Sequence, residues 1–568
     1  MITGAQILCE SLLREGVDVI FGISGGTVIP MYDAFSEYPQ IRRVLVRHEQ
    51  AAAHAAAGYA RARGKAGVCV ATSGPGATNL VTGIADAYMD STPMVVITGQ
   101  VARPYIGKDA FQETDITGIT IPIVKHNYLV REAASLARTV KEAFHIAQTG
   151  RPGPVLIDIP KDVQQELAEF SYPDEVDLPG YHPARDASRE QVAAVAELIN
   201  RAERPLILAG RGVLVSGACE ELMTLAETIA APVANTMLGL GSFPPKHELS
   251  LGMLGMHGAA YTNFAAQNAD LLIAVGTRFV DRTTMRTNEF APQAIVVHID
   301  ISPAEINKNV FAFASLVGDA KAVLSELNPL LAARTDGNWL SRVHEWRERH
   351  PLTVDNTGPG LSTRSVIRQL YSMVNDKTLV VTGVGQHQMF AAQEYTCKRQ
   401  NAFISSGGHG TMGFELPAAL GAQVACPDEA VWVIAGDGGF QMTMQELSTI
   451  VQEGLPVKIA VISNGYLGMV RQWQDLFCAK NYVDVGLHNP DFVKLADAYS
   501  IPGLRVTLEE EIAPAIEQAM QHDGPYLLNF LVEPEENVWP MVPPGAAVAQ
   551  FLEEPKKEVS TWPRRSTP

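Results

Sequence analysis

Short runs of β-branched and other apolar residues recur along the chain, separated by longer stretches whose apolar positions return every three or four residues. In the first stretch the runs are VDVIFGI, IRRVLV, AGVCVAT, PMVVITG and GPVLIDIP, with helical patterns such as QAAAHAAAGYARARG and GATNLVTGIADAYMD between them. Strands spaced by helices of this length predict βαβ units on a parallel sheet. The pattern restarts twice. RPLILAG, APVANT, ADLLIAVG and AIVVHIDI form a second series, and TLVVTGVG, NAFISSGG, AVWVIAGDGG, VKIAVISN and PYLLNFLVEP a third. Polar, proline-containing segments divide them. The expected fold class is α/β, with three doubly wound parallel-sheet domains at 1–170, 189–335 and 362–535, linkers at 171–188 and 336–361, and a tail at 536–568. Pro534, Pro540, Pro543, Pro544 and Pro555 predict an extended end draped over the surface.

Composition narrows the function classes. A chain of 568 residues is too long for one core, and 46% hydrophobic with 19% charged residues reads as globular. A net charge of −18 argues against nucleic acid or an anionic membrane as partner. The six cysteines are scattered without a CxxC pair, the usage of buried thiols in a reduced compartment. The start, MITGAQILCESLLREGVDVIF, reads as an amphipathic helix and not a targeting segment. No apolar run approaches the roughly 18 residues of a membrane span. The expectation is a soluble cytoplasmic protein.

The sharpest local signal is AVWVIAGDGGFQMTMQELSTIVQEGLPVKIAVISNGY. It predicts a strand at 430–435, a glycine turn, a helix at about 442–454 and a strand at 457–462. One right-handed crossover brings both strands to the same sheet edge. Asp437 and Asn464 then stand at neighbouring carboxyl ends, where α/β sheets bind ligands. A carboxylate and an amide oxygen are hard donors suited to Mg²⁺, which fills its octahedron with water and phosphate oxygens. Gly436, Gly438 and Gly439 are expected to let a phosphate approach the backbone. The competing reading is an ordinary Asp-Gly turn. GGHGTMG also spells a dinucleotide fingerprint at Gly408, Gly410 and Gly413, but one phosphate cradle already accounts for that region.

A second signal is Glu49, which opens an alanine-rich helix. Ala52 and Ala53 occupy the positions where a basic partner would sit. The alanines suit a helix packed closely on something else, and a carboxylate entering such a place loses hydration worth several kcal/mol.

Together the GDG turn, Asn464 and the RHEQ glutamate resemble enzymes that use thiamine diphosphate. More narrowly, the chain is similar to catalytic subunits of the acetolactate synthase (acetohydroxyacid synthase) family. RHEQAAAHAAAGYARA, TSGPGATNLVTGIADA, LGMHG, GQHQM, GTMGFELPAALGA, GMVRQWQ and PMVPPGA carry the likeness, in order, over nearly the whole chain. The resemblance implies pyrimidine-binding, FAD-binding and diphosphate-binding domains, and the cofactors thiamine diphosphate, Mg²⁺ and FAD. Glu49 then hydrogen-bonds N1′ of the aminopyrimidine of a cofactor held by the third unit of another chain. That makes a homodimer or homotetramer, with a separate regulatory subunit as a further partner. Tyr466 supplies a backbone carbonyl to Mg²⁺, Met412 is the apolar wedge that bends the cofactor, and Gln386 and His387 touch the diphosphate. Arg151, Gly210, Thr236, His257, Gly276, Arg278, Asp300 and Asp319 match flavin positions. Arg282 and Trp473 receive a second 2-oxo acid, and Phe111, Gln112 and Lys161 belong to the same channel. The implied reaction decarboxylates pyruvate and joins the two-carbon remainder to pyruvate or 2-oxobutyrate, in branched-chain amino acid biosynthesis.

The chain departs from the family at Ser24, Ala102, Val280, His409 and Glu415, the last two where Leu and Gly are usual. Both flank Met412, which predicts a titratable pair in the cofactor wall. Three alternatives stay open: a flavin-linked pyruvate oxidase, another carboligase or 2-oxo acid decarboxylase, and a non-catalytic paralogue disabled by that pair.

Overall fold

The computed structural model describes residues 1–183, 187–334, 337–352, 360–397 and 399–553. Parts of both expected linkers, and Pro555, lie outside the described residues. Three six-stranded sheets, each parallel throughout, succeed one another along the chain. The first holds β1 (Val19–Gly22), β2 (Arg42–Leu45), β3 (Gly67–Ala71), β4 (Met94–Gln100), β5 (His126–Leu129) and β6 (Pro154–Pro160). The second holds β7 (Pro205–Ala209), β8 (Val233–Asn235), β9 (Ser250–Met253), β10 (Leu271–Val275), β11 (Ile295–Asp300) and β12 (Ala314–Val317). The third holds β13 (Leu379–Thr382), β14 (Phe403–Ser405), β15 (Val431–Gly436), β16 (Lys458–Ser463), β17 (Gly503–Val506) and β18 (Tyr526–Leu531). Interior strands such as β6 and β15 are buried along their whole length, as their unbroken apolar runs require.

The orders differ in an informative way. The first sheet runs β2-β1-β3-β4-β6-β5 and the third β14-β13-β15-β16-β18-β17, the same order in both. The second runs β9-β8-β7-β10-β11-β12, the 3-2-1-4-5-6 order of dinucleotide-binding sheets. Within these three sheets four strands escaped the sequence reading, β5, β9, β12 and β17, and every one is outermost in its sheet; the two-residue strands Ile2–Thr3 and Leu167–Ala168, which pair separately, escaped it too.

Helix α1 (Glu49–Arg63) buries Ala51–Ala57. It packs antiparallel on α3 (Glu415–Ala425), with α2 (Val81–Met89) alongside. The crossing is backbone on backbone: a Cβ on Gly58 would overlap the Ala418 carbonyl, and one on Gly421 the Ala55 carbonyl. The alanine face is therefore covered by the chain's own third unit.

Two expectations change. The glycine turn is the start of a helix, α4 (Asp437–Thr443), followed by a 3₁₀ turn at Met444–Glu446 and a short helix Leu447–Gln452. The described part of the tail, 536–553, is not draped outside. Val538, Met541, Val542 and Val548 are fully buried, and the segment is pinned by Val538 N–H to Gln472 Oε1 (2.9 Å) and Val542 N–H to the Met256 carbonyl (2.8 Å). Its valines and methionine fill the space between the second and third units, which the prolines alone did not reveal. Cys478 is exposed, while Cys9, Cys69, Cys219 and Cys397 are buried and all are free. Among the described residues no helix is long and apolar enough to cross a membrane.

Candidate active site

Strands β15 and β16 are parallel neighbours, so Asp437 and Asn464 leave the sheet side by side. The Asp437 carboxylate is buried and tightly held. Oδ1 accepts from Gly438 N–H (2.9 Å), and Oδ2 from Gly465 N–H and Asn489 Nδ2 (both 2.8 Å). Burial raises its pKa, against the pull of these hydrogen bonds. Asn464 Oδ1 accepts from Tyr466 N–H (3.0 Å), and its Nδ2 donates to Gln386 Oε1 (3.4 Å). The Tyr466 ring lies 4.8 Å from the Arg471 guanidinium, which holds that turn. No group of three His, Cys, Asp or Glu gathers anywhere among the described residues. One carboxylate with an amide oxygen and a carbonyl suits a hard cation that keeps water and phosphate in its shell, so the donors fit Mg²⁺.

The glycines are required, though by protein neighbours. A Cβ on Gly436 would fall 2.7 Å from His387 Cε1, one on Gly439 2.6 Å from Glu415 Oε1, and one on Gly438 3.0 Å from Leu467. Met412 does reach this turn, its Cε 3.5 Å from the same Gly438 position. His387 is buried, and Nε2 accepts from Gly436 N–H (3.1 Å), which leaves the proton on Nδ1. Burial pushes its pKa down to about 4, so the ring is neutral. Gln386 is committed within the protein, donating to Gln472 Oε1 (2.9 Å) and the Glu536 carbonyl (3.1 Å). The predicted titratable pair is absent. His409 is exposed, whereas Glu415 is fully buried beneath Gly439 with neither carboxylate oxygen hydrogen-bonded.

Glu49 stands apart from this turn. Its Oε2 accepts from Asn79 Nδ2 (2.9 Å), and Oε1 faces Gly76. Gln112, in the left-handed region at φ 60°, packs against Gly74 of the same loop. Phe111 beside it is 88% exposed, and Lys161 opens a short helix at the end of β6. All four residues belong to the first unit, and none lines the large cavity between the units.

That cavity, of about 1190 Å³, lies between the three units. Arg151, Thr236, His257, Gly276, Arg278, Asp300 and Asp319 line it, together with Met412, Arg282 and Trp473. Gly210 sits beneath, where a Cβ would strike the Gly276 carbonyl. Asp300 ends β11, and burial raises its carboxyl to about 6. Arg151 reaches Glu305 (2.8 Å) and Ser91 (2.8 Å), while Asp319 caps the helix Ala320–Leu327. His257 is buried, its pKa pushed down to about 4 by burial. The Arg282 guanidinium lies 5.9 Å from the Trp473 ring. Sequence reading missed Arg211, whose buried Nε has no partner, and also Asn489, Gln472 and Asp90. AGRG after β7 was the available signal for Arg211 and GMVRQWQ for Gln472; Asn489 and Asp90 are loop or helix-end residues with no local pattern.

Two sheets of identical order flanking a dinucleotide-type sheet, with an oxygen-donor turn on the third, define a cofactor-dependent α/β enzyme. Family models agree: thiamine pyrophosphate enzyme N-terminal TPP binding domain over 2–119, central domain over 192–327 and C-terminal TPP binding domain over 383–530. The chain belongs to the thiamine pyrophosphate enzymes and, among them, to the acetolactate synthase family. It is 50% identical over 559 residues to an acetolactate synthase large subunit of Mycobacterium tuberculosis, covering 96% of this chain and 90% of that one. Large subunits of Corynebacterium glutamicum (47%, covering 96% and 89%) and Porphyra purpurea (46%, covering 97% and 95%) are similar along the same span.

Proposed function

We propose that the chain is the catalytic subunit of an acetolactate synthase, decarboxylating pyruvate and joining the two-carbon remainder to pyruvate or 2-oxobutyrate in branched-chain amino acid biosynthesis. The observation that carries this reading is the pairing of Asp437 with Asn464 on adjacent strand ends, with Met412 against Gly438. Thiamine diphosphate, when bound, supplies the electron sink for decarboxylation. Asp437, the Asn464 amide oxygen and the Tyr466 carbonyl hold Mg²⁺. His387 offers its Nδ1–H to the diphosphate, and Gln386, tied to Gln472, fixes which way the Asn464 amide points. Gly436, Gly438 and Gly439 let these groups close up.

Glu49 exchanges a proton with N1′ of the aminopyrimidine, its carboxylate steadied by Asn79. With Gln112, Phe111 and Lys161 it makes one half of the site, and the metal turn with Arg282 and Trp473 makes the other. A second copy brings the halves together, so the working form is a homodimer or a homotetramer. Arg282 receives the carboxylate of the second 2-oxo acid as a fork. The Trp473 face favours an added methylene by roughly 1–3 kcal/mol. In the second unit Asp300 accepts from a ribose hydroxyl, and Arg151, Gly210, Thr236, His257, Gly276, Arg278 and Asp319 surround FAD, which serves structure rather than redox. The domains are those at 1–170, 189–335 and 362–535. The protein works in the cytoplasm, and relatives named large subunits point to a separate regulatory subunit.

The test is product analysis from pyruvate with and without 2-oxobutyrate. Expected are CO₂ with 2-acetolactate, and 2-aceto-2-hydroxybutyrate when 2-oxobutyrate is present. Stoichiometric flavin bleaching by pyruvate under anaerobic conditions selects the oxidase instead, and no CO₂ selects the non-catalytic paralogue.

A further inference from the structure

Asp90, at the end of α2, is the point where all three units meet. Its carboxylate is buried. Oδ2 takes the Arg61 guanidinium (2.7 Å) and Gly407 N–H (2.9 Å), and Oδ1 takes Gly408 N–H (2.7 Å). Four residues earlier on the same helix, Asp86 accepts from the Ser406 hydroxyl and from Thr411 Oγ1 (3.1 Å). The 406–412 loop of the third unit thus donates four hydrogen bonds to two carboxylates of the first. Gly410 and Gly413 flank Met412 at φ 70° and 82°, left-handed states that glycine adopts without strain and that set the path of the loop into Met412.

The same carboxylate faces the second unit. A Cβ on Gly408 would lie 2.8 Å from Asp90 Oδ1 and 3.2 Å from Arg278 Nη2, so the two side chains share one wall of the large cavity. Asp90, Arg211, Arg278, Gly408 and Met412 all line that cavity. Arg61 is paired with Asp90, whereas Arg211 lines the cavity with its buried Nε unpartnered. An anionic dinucleotide in the cavity gives Arg211 a partner and fixes the wall on which Asp90 stands. Order then passes through Gly407 and Gly408 to Met412, and from Met412 to Gly438.

We propose that Asp90 is a positioning residue that couples the two cofactor sites: flavin in the second unit raises the affinity of the third for thiamine diphosphate. This rests on the two-cofactor reading above. Coupling of this kind is reciprocal and typically about 5- to 150-fold.

The test uses full-length protein stripped of cofactors. The dissociation constant of thiamine diphosphate at fixed Mg²⁺ is read by tryptophan fluorescence with and without FAD, and that of FAD with and without thiamine diphosphate. Wild type is expected to show the same factor, about 5-fold or more, in both directions. Asp90→Asn should bring both factors near one while each cofactor alone still binds. Thr411→Val, which removes only a hydroxyl bonded to Asp86, should lower the factor without disturbing the buried Arg61 pair. A wild-type factor of one, or a factor unchanged in Thr411→Val and in folded Asp90→Asn, overturns the coupling. Failure of wild type to bind one cofactor at all overturns the two-cofactor reading itself, and with it the coupling.

Discussion

Replacing Glu415 by Gln tests the buried carboxyl beneath the glycine turn at 436–439. The side chain is fully buried, and both oxygens lack hydrogen-bond partners. Its neighbours are Gly383, His387 and Gly439, none of which offers a charge to balance it. Burial raises its pKa from 4.5 to about 7, opposed only weakly by nearby backbone N–H groups. Between these two values the folded chain holds a proton that the unfolded chain has released. The unfolded state then binds fewer protons, and stability falls as pH rises. The contribution is complete below pH 4.5, declines through the window and is lost above 7. Two and a half pKa units correspond to about 3 kcal/mol. Gln has the same shape and never ionises, so Glu415→Gln should match wild type near pH 5 and exceed it by about 3 kcal/mol at pH 8. Urea midpoints measured on both proteins from pH 4.5 to 8.5 report the difference directly. Parallel curves would sink the argument, because they would mean that the carboxyl ionises in the folded protein at its ordinary value.

Glu49→Gln should leave thiamine diphosphate and Mg²⁺ bound but slow exchange of the C2 proton by ~10²–10⁴-fold, measured by NMR; unchanged exchange removes Glu49 from the chemistry. Asn489→Ala strips one of three donors from Asp437 and should weaken Mg²⁺ by roughly 10- to 100-fold, read from Mg²⁺ titrations at saturating thiamine diphosphate. Asp437→Ala should abolish metal-dependent cofactor binding in calorimetry, and near-native affinity would place the metal elsewhere. His409 is exposed and makes no pair with Glu415, so His409→Leu should leave the ratio of acetaldehyde to acetolactate unchanged from pH 6 to 8; a shift in that ratio would place the imidazole at the reacting carbon.

Interior strands were legible because burial on both faces writes an unbroken apolar run, as in β6 and β15. Edge strands have one side of the ladder free and fewer buried positions, so β5 (HNYL) and β17 (GLRV) carry too little apolar signal to stand out. Asp437 and Asn464 could be placed because one crossover fixes their relation. Asn489 could not: it reaches Asp437 from a loop 52 positions away, and nothing in its local sequence marks it. The described part of the tail, 536–553, misled for a different reason. Proline reports backbone extension, which says nothing about whether an extended segment lies outside or is threaded through the interior.

The seam between α1 and α3 bears on timing. Side chains act as springs between packed helices, since rotamers can shift when one element slides past another. At Gly58 and Gly421 there is no such give, because carbonyl meets α-carbon. Glu49 begins one of these helices and Glu415, under the glycine turn, begins the other. The seam therefore acts as a fixed caliper between the first and third units of a single chain. Relative motion of these units is confined to parts outside it, such as the loop that carries Phe111, so that in the proposed dimer each chain presents its two halves at a constant spacing.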